Sequence, residues 1–171
     1  MPKVTVVTEP TALTWGHFSL ADSVGNASEV AQIHPVTDMP DDLSIQKTRA
    51  GFQVNDFTIT VRIDSADTQV EKTANKTADL LKHEQGHFDL LLLTVRAMAR
   101  DFESAAASTP AGLGTQVQAI IARHGARATA IDQAYDSQTK NGLDAAEQKR
   151  WNVLIATALT NNAARIGTFA L

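Results

Sequence analysis

The apolar residues of this chain change period partway along, and that change limits the folds it can reach. From Phe57 to Asp64 they alternate, with Phe57, Ile59, Val61 and Ile63 against Thr58, Thr60, Arg62 and Asp64. That is the two-residue repeat of a strand with one buried face. From about Ala66 onward they recur every three or four residues, the repeat of helices lying on a core. Strands first and helices after predict an α+β fold, with a small N-terminal β-sheet packed on three helices. Val4, Val6 and Val7 predict a short early strand, and Ala50 to Gln53 the start of another, whereas Pro35 to Asp42 is rich in Pro and Asp and reads as loop. The first helix is expected to be capped by Asn75 or Thr77 and to run to about Ala107, with Pro110-Ala111-Gly112 ending it. Leu80, His87, Leu91, Thr94 and Met98 share one of its stripes. A second helix is expected from Thr115 to about Lys140, stopped by Asn141-Gly142, and a third from about Asp144 through Trp151, Ile155 and Leu159.

With 171 residues, 43% of them apolar and 20% charged, one domain with a sizeable core is expected, mainly strands and loops over 1–65 and mainly helices over 66–171. A net charge of -4 gives no support for a nucleic-acid partner. No stretch approaches the ~20 apolar residues of a membrane span, and Leu90 to Leu93 is flanked by Asp89 and Arg96, so it reads as helix core. The N-terminus lacks the apolar run of a signal peptide. The chain is therefore expected to be soluble, cytoplasmic as written, and periplasmic or secreted if a leader has been removed. Cysteine is absent, so a bound metal would be held by His, carboxylate or water.

Chemistry concentrates in His83-Glu84-Gln85-Gly86-His87, an H-E-x-x-H arrangement inside the first helix. Residues four apart lie on one helix face, so both imidazoles can reach one metal ion, and zinc favours such nitrogen ligands. Glu84 lies about 100° around the helix from His83, close enough to polarise a metal-bound water without ligating. Gly86 in mid-helix costs ~1 kcal/mol relative to Ala and suggests that another backbone packs closely there. The metzincin continuation is excluded, because it needs Gly and His where Leu90 and Leu93 stand.

Three patches resemble a bacterial family, domain of unknown function 922, to which secreted zinc-dependent proteolysis is ascribed. Leu13-Thr14-Trp15-Gly16-His17-Phe18 is similar to its early patch, with His17 where an acidic residue is usual. Leu80 to Asp89 is similar to its central helix. Tyr135 to Gly142, followed by Gln148 and Trp151, is similar to its Y-D-x-x-T-x-H-G and Q-x-x-W patches, with Asn141 in place of the usual His. The likeness implies a zincin-like domain, a Zn2+ cofactor and a peptide or protein substrate.

A catalytic zinc usually takes a third protein ligand. Glu103 lies sixteen residues past His87, about 24 Å along a continuous helix, and cannot reach. Asp136, beside Tyr135 in the third patch, is the leading candidate, with Asp132, His124, Asn141 and Glu147 left open. His124 sits mid-stripe, where a core histidine is the plainer reading. His17 and His34 read as surface or loop residues, and Asp89 points away from His83. Tyr135, the single tyrosine, is given either a catalytic role on the tetrahedral intermediate or a packing role. The expected activity is peptide hydrolysis by a zinc-bound water with Glu84 as general base. The strand Phe57 to Asp64 could offer an edge to an extended peptide. The alternative is an inactive zinc-binding or interaction domain, favoured by Asn141. Oligomeric state is not legible.

Overall fold

The computed structural model describes residues 1–25, 29–49 and 51–171. Ten short strands and three helices form a mixed α+β arrangement among them: β1 (Val4–Glu9), β2 (Ser19–Ala21), β3 (Ala31–Gln32), β4 (Pro35–Asp38), β5 (Ile45–Thr48), β6 (Gly51–Val54), β7 (Phe57–Ile63) and β8 (Gln69–Glu71), then α1 (Ala78–Ser104), α2 (Pro110–Thr139) and α3 (Ala145–Asn161), and last β9 (Arg165–Ile166) and β10 (Phe169–Ala170). The expected single N-terminal sheet is instead several small ones, in the orders β1-β7-β4 and β2-β8-β3, with β5-β6 and β9-β10 as antiparallel pairs.

Alternation placed β7 correctly, since Ile59 and Val61 are fully buried. It did not reveal the strand's place in the sheet. β7 runs parallel to β1 on one side and antiparallel to β4 on the other. β1 pairs it along Phe57 to Arg62 and β4 along Thr60 to Ile63, so β7 lies in mid-sheet, and the expectation that its whole length offers an edge to a peptide is corrected. Pro35 to Asp38 was expected to be loop and forms β4. An edge strand tolerates proline at its first residue, where the missing N–H leaves no ladder bond unmade. The expected strand start at Ala50 lies outside the described residues, and β6 begins at Gly51.

The helical region starts later than the apolar pattern implies, because Gln69–Glu71 is still strand. Thr77 caps α1 by accepting the Leu80 N–H at 3.1 Å, a contact worth ~1 kcal/mol against Ala. Pro110 opens α2 rather than closing α1. Thr109 caps it through the Gly112 N–H, and proline suits a first turn, whose N–H groups lack helical partners. α2 stops as expected, with Lys140, Asn141 and Gly142 all at positive φ.

α1 is buried on two sides. Phe88, Val95, Ala99 and Phe102 join Ile59, Val61 and Val70 in one core, and Leu90, Leu93 and Ala97 join Ile131, Tyr135 and Trp151 in the other. A helix sandwiched in this way holds side chains from its first turns between the sheets and α2, and His83 and Glu84 are there.

Candidate metal centre

His83 and His87 stand one turn apart near the start of α1, and Asp136 comes from the last turn of α2. The His83 and His87 Nε2 atoms lie 3.2 Å apart. Asp136 Oδ1 is 3.3 Å from the first and 3.0 Å from the second. These three groups could hold a metal ion.

Hydrogen bonds behind the imidazoles orient them. Gln148 of α3 donates its amide N–H groups to the Tyr135 hydroxyl at 2.7 Å and to Asn152 Oδ1 at 2.9 Å. Its carbonyl oxygen, 3.0 Å from His83 Nδ1, therefore accepts a proton from that nitrogen. Asp132 Oδ1 lies 2.6 Å from His87 Nδ1, and an ionised carboxylate can only accept. Both rings thus carry hydrogen on Nδ1 and turn an Nε2 lone pair toward Asp136. Three acceptors facing one another repel unless a cation or a proton lies between them. With a proton, burial disfavours the charged His87 ring, but Asp132 and Asp136 outweigh it and lift its pKa to about 10. Asp136 is buried too, yet the two imidazoles hold its carboxyl well below the usual range.

Glu84 is 2% exposed and accepts the Ile33 N–H at 3.0 Å. Burial pushes its carboxyl up, against the opposing pull of His87, His83 and that N–H. Glu84, the two histidines and Asp136 line one cleft of about 430 Å³, together with the segment from Glu29 to Pro35 and with Asn141 and Leu143.

Tyr135 is fully buried. Its ring stacks on His83, with centroids 4.9 Å apart and planes 16° apart, and meets His87 edge-on, also at 4.9 Å. Its hydroxyl donates to the His83 carbonyl at 3.1 Å while accepting from Gln148. Gly86 makes room for this ring. A Cβ there would fall 2.2 Å from the phenol oxygen, so a side chain approaches it, not the backbone the sequence suggested. Gly142, at φ +81°, presses on His83 in the same way, since its Cβ would meet the ring at 3.1 Å.

Other candidates fall elsewhere. His124 Nε2 bonds Asp101 at 2.7 Å, away from the cleft. Glu103 accepts the Val4 N–H and serves the sheet. Asp89 accepts from Gln85, whose own oxygen takes the Leu13 N–H and so ties the early patch to α1. His17 accepts the Thr14 N–H in a local turn, and His34 is exposed. Asp132, an open ligand candidate, stands behind His87. Sequence reasoning gave Gln148 no role and did not find Ile33. Gln148 stood in a family-like patch, but a main-chain N–H such as that of Ile33 leaves no signal in side-chain chemistry.

The fold and this cluster define a mixed α+β protein with a His/His/Asp group suited to a metal. A family model described as "Bacterial protein of unknown function (DUF922)" matches residues 48–143, more than half of the chain, which therefore belongs to that family. The match includes His83 to His87 and Tyr135 to Gly142, but neither Leu13 to Phe18 nor Gln148. Comparison with curated proteins and with solved structures gave no match. Among the described residues no helix is long and apolar enough to cross a membrane.

Proposed function

We propose that the chain is a zinc-dependent peptidase of zincin-like design, in which His83, His87 and Asp136 hold the metal and Glu84 is the general base. The observation that carries this reading is the triangle of ligand atoms, with edges of 3.0, 3.2 and 3.3 Å. Two bonds of ~2.0 Å at a tetrahedral angle span ~3.3 Å, so the three atoms match one face of a zinc tetrahedron. Zinc held by His83, His87 and Asp136 would supply a Lewis acid and would lower the pKa of a bound water toward ~7.

Gln148 and Asp132 keep the two imidazoles in the tautomer that ligates, which is the usual work of groups behind metal-bound histidines. The Ile33 N–H steadies one Glu84 oxygen, and burial keeps its carboxyl a better proton acceptor than an exposed one. Glu84 takes the proton of the attacking water and delivers it to the leaving amine. Tyr135, enclosed and bonded on both sides, is assigned a positioning role rather than the catalytic one its sequence allowed. Asn141 lines the cleft but is not needed as a ligand, which weakens the case for an inactive domain.

Glu84→Gln tests the mechanism. It keeps the shape and reach of the side chain but cannot accept a proton. The variant should retain zinc and melting temperature while peptide hydrolysis, measured on an unbiased peptide library, falls ~10²–10⁴-fold. Equal cleavage by the two proteins, or no cleavage by zinc-loaded wild type, would sink the proposal.

A further inference from the structure

A second groove, of about 580 Å³, lies beside the later turns of α1 and is lined by Arg100 of α1, Arg123 and Arg127 of α2, and Arg165 of β9. Arg100 is thirteen residues past His87, about 20 Å along the helix axis, so the groove is remote from the metal centre. Half of the chain's eight arginines meet there, on a protein of net charge -4. Arg123 and Arg127 are one helical turn apart, where like charges repel.

The compensating charge is small. Asp101 is the acidic side chain among the described lining residues, and it is shared between Arg123 and His124, each at 2.7 Å. Arg100 donates to neutral oxygens, Asn162 Oδ1 at 2.8 Å and the Ala163 carbonyl at 3.2 Å. Arg165 donates to the Thr168 carbonyl at 2.6 Å, and Arg127 to the main-chain oxygen of Leu171 at 2.7 Å. Even if that last oxygen is counted as a carboxylate, four guanidiniums face two carboxylates. The neighbouring histidine registers the field: burial lowers the His124 pKa, and Arg127 and Arg123 lower it further, against the pull of Asp101.

We propose that this groove binds a phosphoryl group carried on a small ligand. A phosphate monoester brings close to two negative charges and three acceptor oxygens, enough to engage guanidiniums from three separate elements. A carboxylate, with one charge and two oxygens, is saturated by a single bidentate arginine. Ala97, Ala164 and Ala170 supply an apolar wall for the rest of the ligand. The proposal does not depend on the metal centre.

Calorimetric titration of the full chain, treated with chelator so that no metal contributes, with phenyl phosphate, inorganic phosphate and benzoate tests it. Phenyl phosphate should bind saturably at one site and inorganic phosphate should compete with it, while benzoate binds at least about ten-fold more weakly. Arg100→Gln and Arg127→Gln should each weaken phenyl phosphate about ten-fold or more, the loss expected for one charge-assisted hydrogen bond, and Arg62→Gln on β7 should not change it. If Arg100→Gln or Arg127→Gln melts early, Arg165→Gln carries the test, because its guanidinium donates to the Thr168 carbonyl within its own hairpin. Absence of saturable binding, equal binding by the groove variants, or benzoate binding as tightly as phenyl phosphate overturns the proposal.

Discussion

Besides the contacts of Asp136, α1 and α2 exchange two His–Asp pairs, and the pairs end in opposite states. At one end His87 of α1 meets Asp132 of α2 at 2.6 Å. At the other His124 of α2 meets Asp101 of α1 at 2.7 Å. Both pairs are short and both histidines are largely enclosed. The surroundings separate them. Burial disfavours the charged His87 ring, but two carboxylates, Asp132 and Asp136, bond it and lift its pKa to about 10. Burial lowers the His124 pKa, Arg127 and Arg123 lower it further against the single carboxylate of Asp101, and its Nδ1 is buried without a partner. A His–Asp contact is therefore not in itself a metal-site signature. What distinguishes the first pair is that Asp132 takes the His87 Nδ1 and leaves Nε2 facing His83 Nε2 and Asp136 Oδ1, two more atoms that could hold a metal, whereas the second pair spends its Nε2 on the carboxylate.

The largest test of that contrast is deletion of each ring. His87→Ala should abolish stoichiometric zinc binding, and His124→Ala should leave it intact, as read by elemental analysis of untagged protein. Equal zinc content in the two variants would erase the distinction.

The carboxylates behind the rings should differ by less. Asp132→Asn removes the charge that orients His87, and such losses typically cost 10–100-fold in metal affinity. Asp101→Asn should leave zinc affinity unchanged in a competitive chelator titration.

Each histidine also has a neighbouring glycine, and the two should respond with opposite sign. A Cβ at Gly86 would strike the Tyr135 ring, whereas one at Gly125 would meet nothing within 4 Å. Gly86→Ala should destabilise the chain by ~1–3 kcal/mol through overpacking, and Gly125→Ala should stabilise it by up to ~1 kcal/mol through helix propensity. Urea melts of both variants settle the signs.

A further contrast is a pair of opposite pH slopes in the metal-free chain. His87 has a folded pKa of about 10, above its ordinary value of 6.5, so its contribution to stability is complete below about 6.5 and is lost as pH rises toward 10. His124 has a folded pKa below 6.5, so its contribution is complete above that value and is lost on acidification, along with that of Asp101, which His124 and Arg123 hold down against burial. Relative to wild type, His87→Ala should flatten the alkaline arm of the stability profile and His124→Ala the acid arm.

The sequence alone determined what local spacing determines. Two imidazoles four residues apart on a helix must share a face, alternation over Phe57 to Ile63 must make a half-buried strand, and Asn141-Gly142 must stop a helix, because each follows from backbone geometry within a few residues. Family likeness brought Asp136 forward from several candidates, but spacing could not select it, since the approach of α2 to α1 depends on packing around Tyr135 and Trp151. The same distance in sequence hid the edge pairing that made Pro35 to Asp38 a strand and placed β7 in mid-sheet. It also hid Gln148 and Asp132 as the partners that fix both tautomers, the Ile33 N–H on Glu84, and the gathering of four arginines from three elements. Those are contacts between segments far apart in the chain, and only the buried cores that bring the segments together decide them.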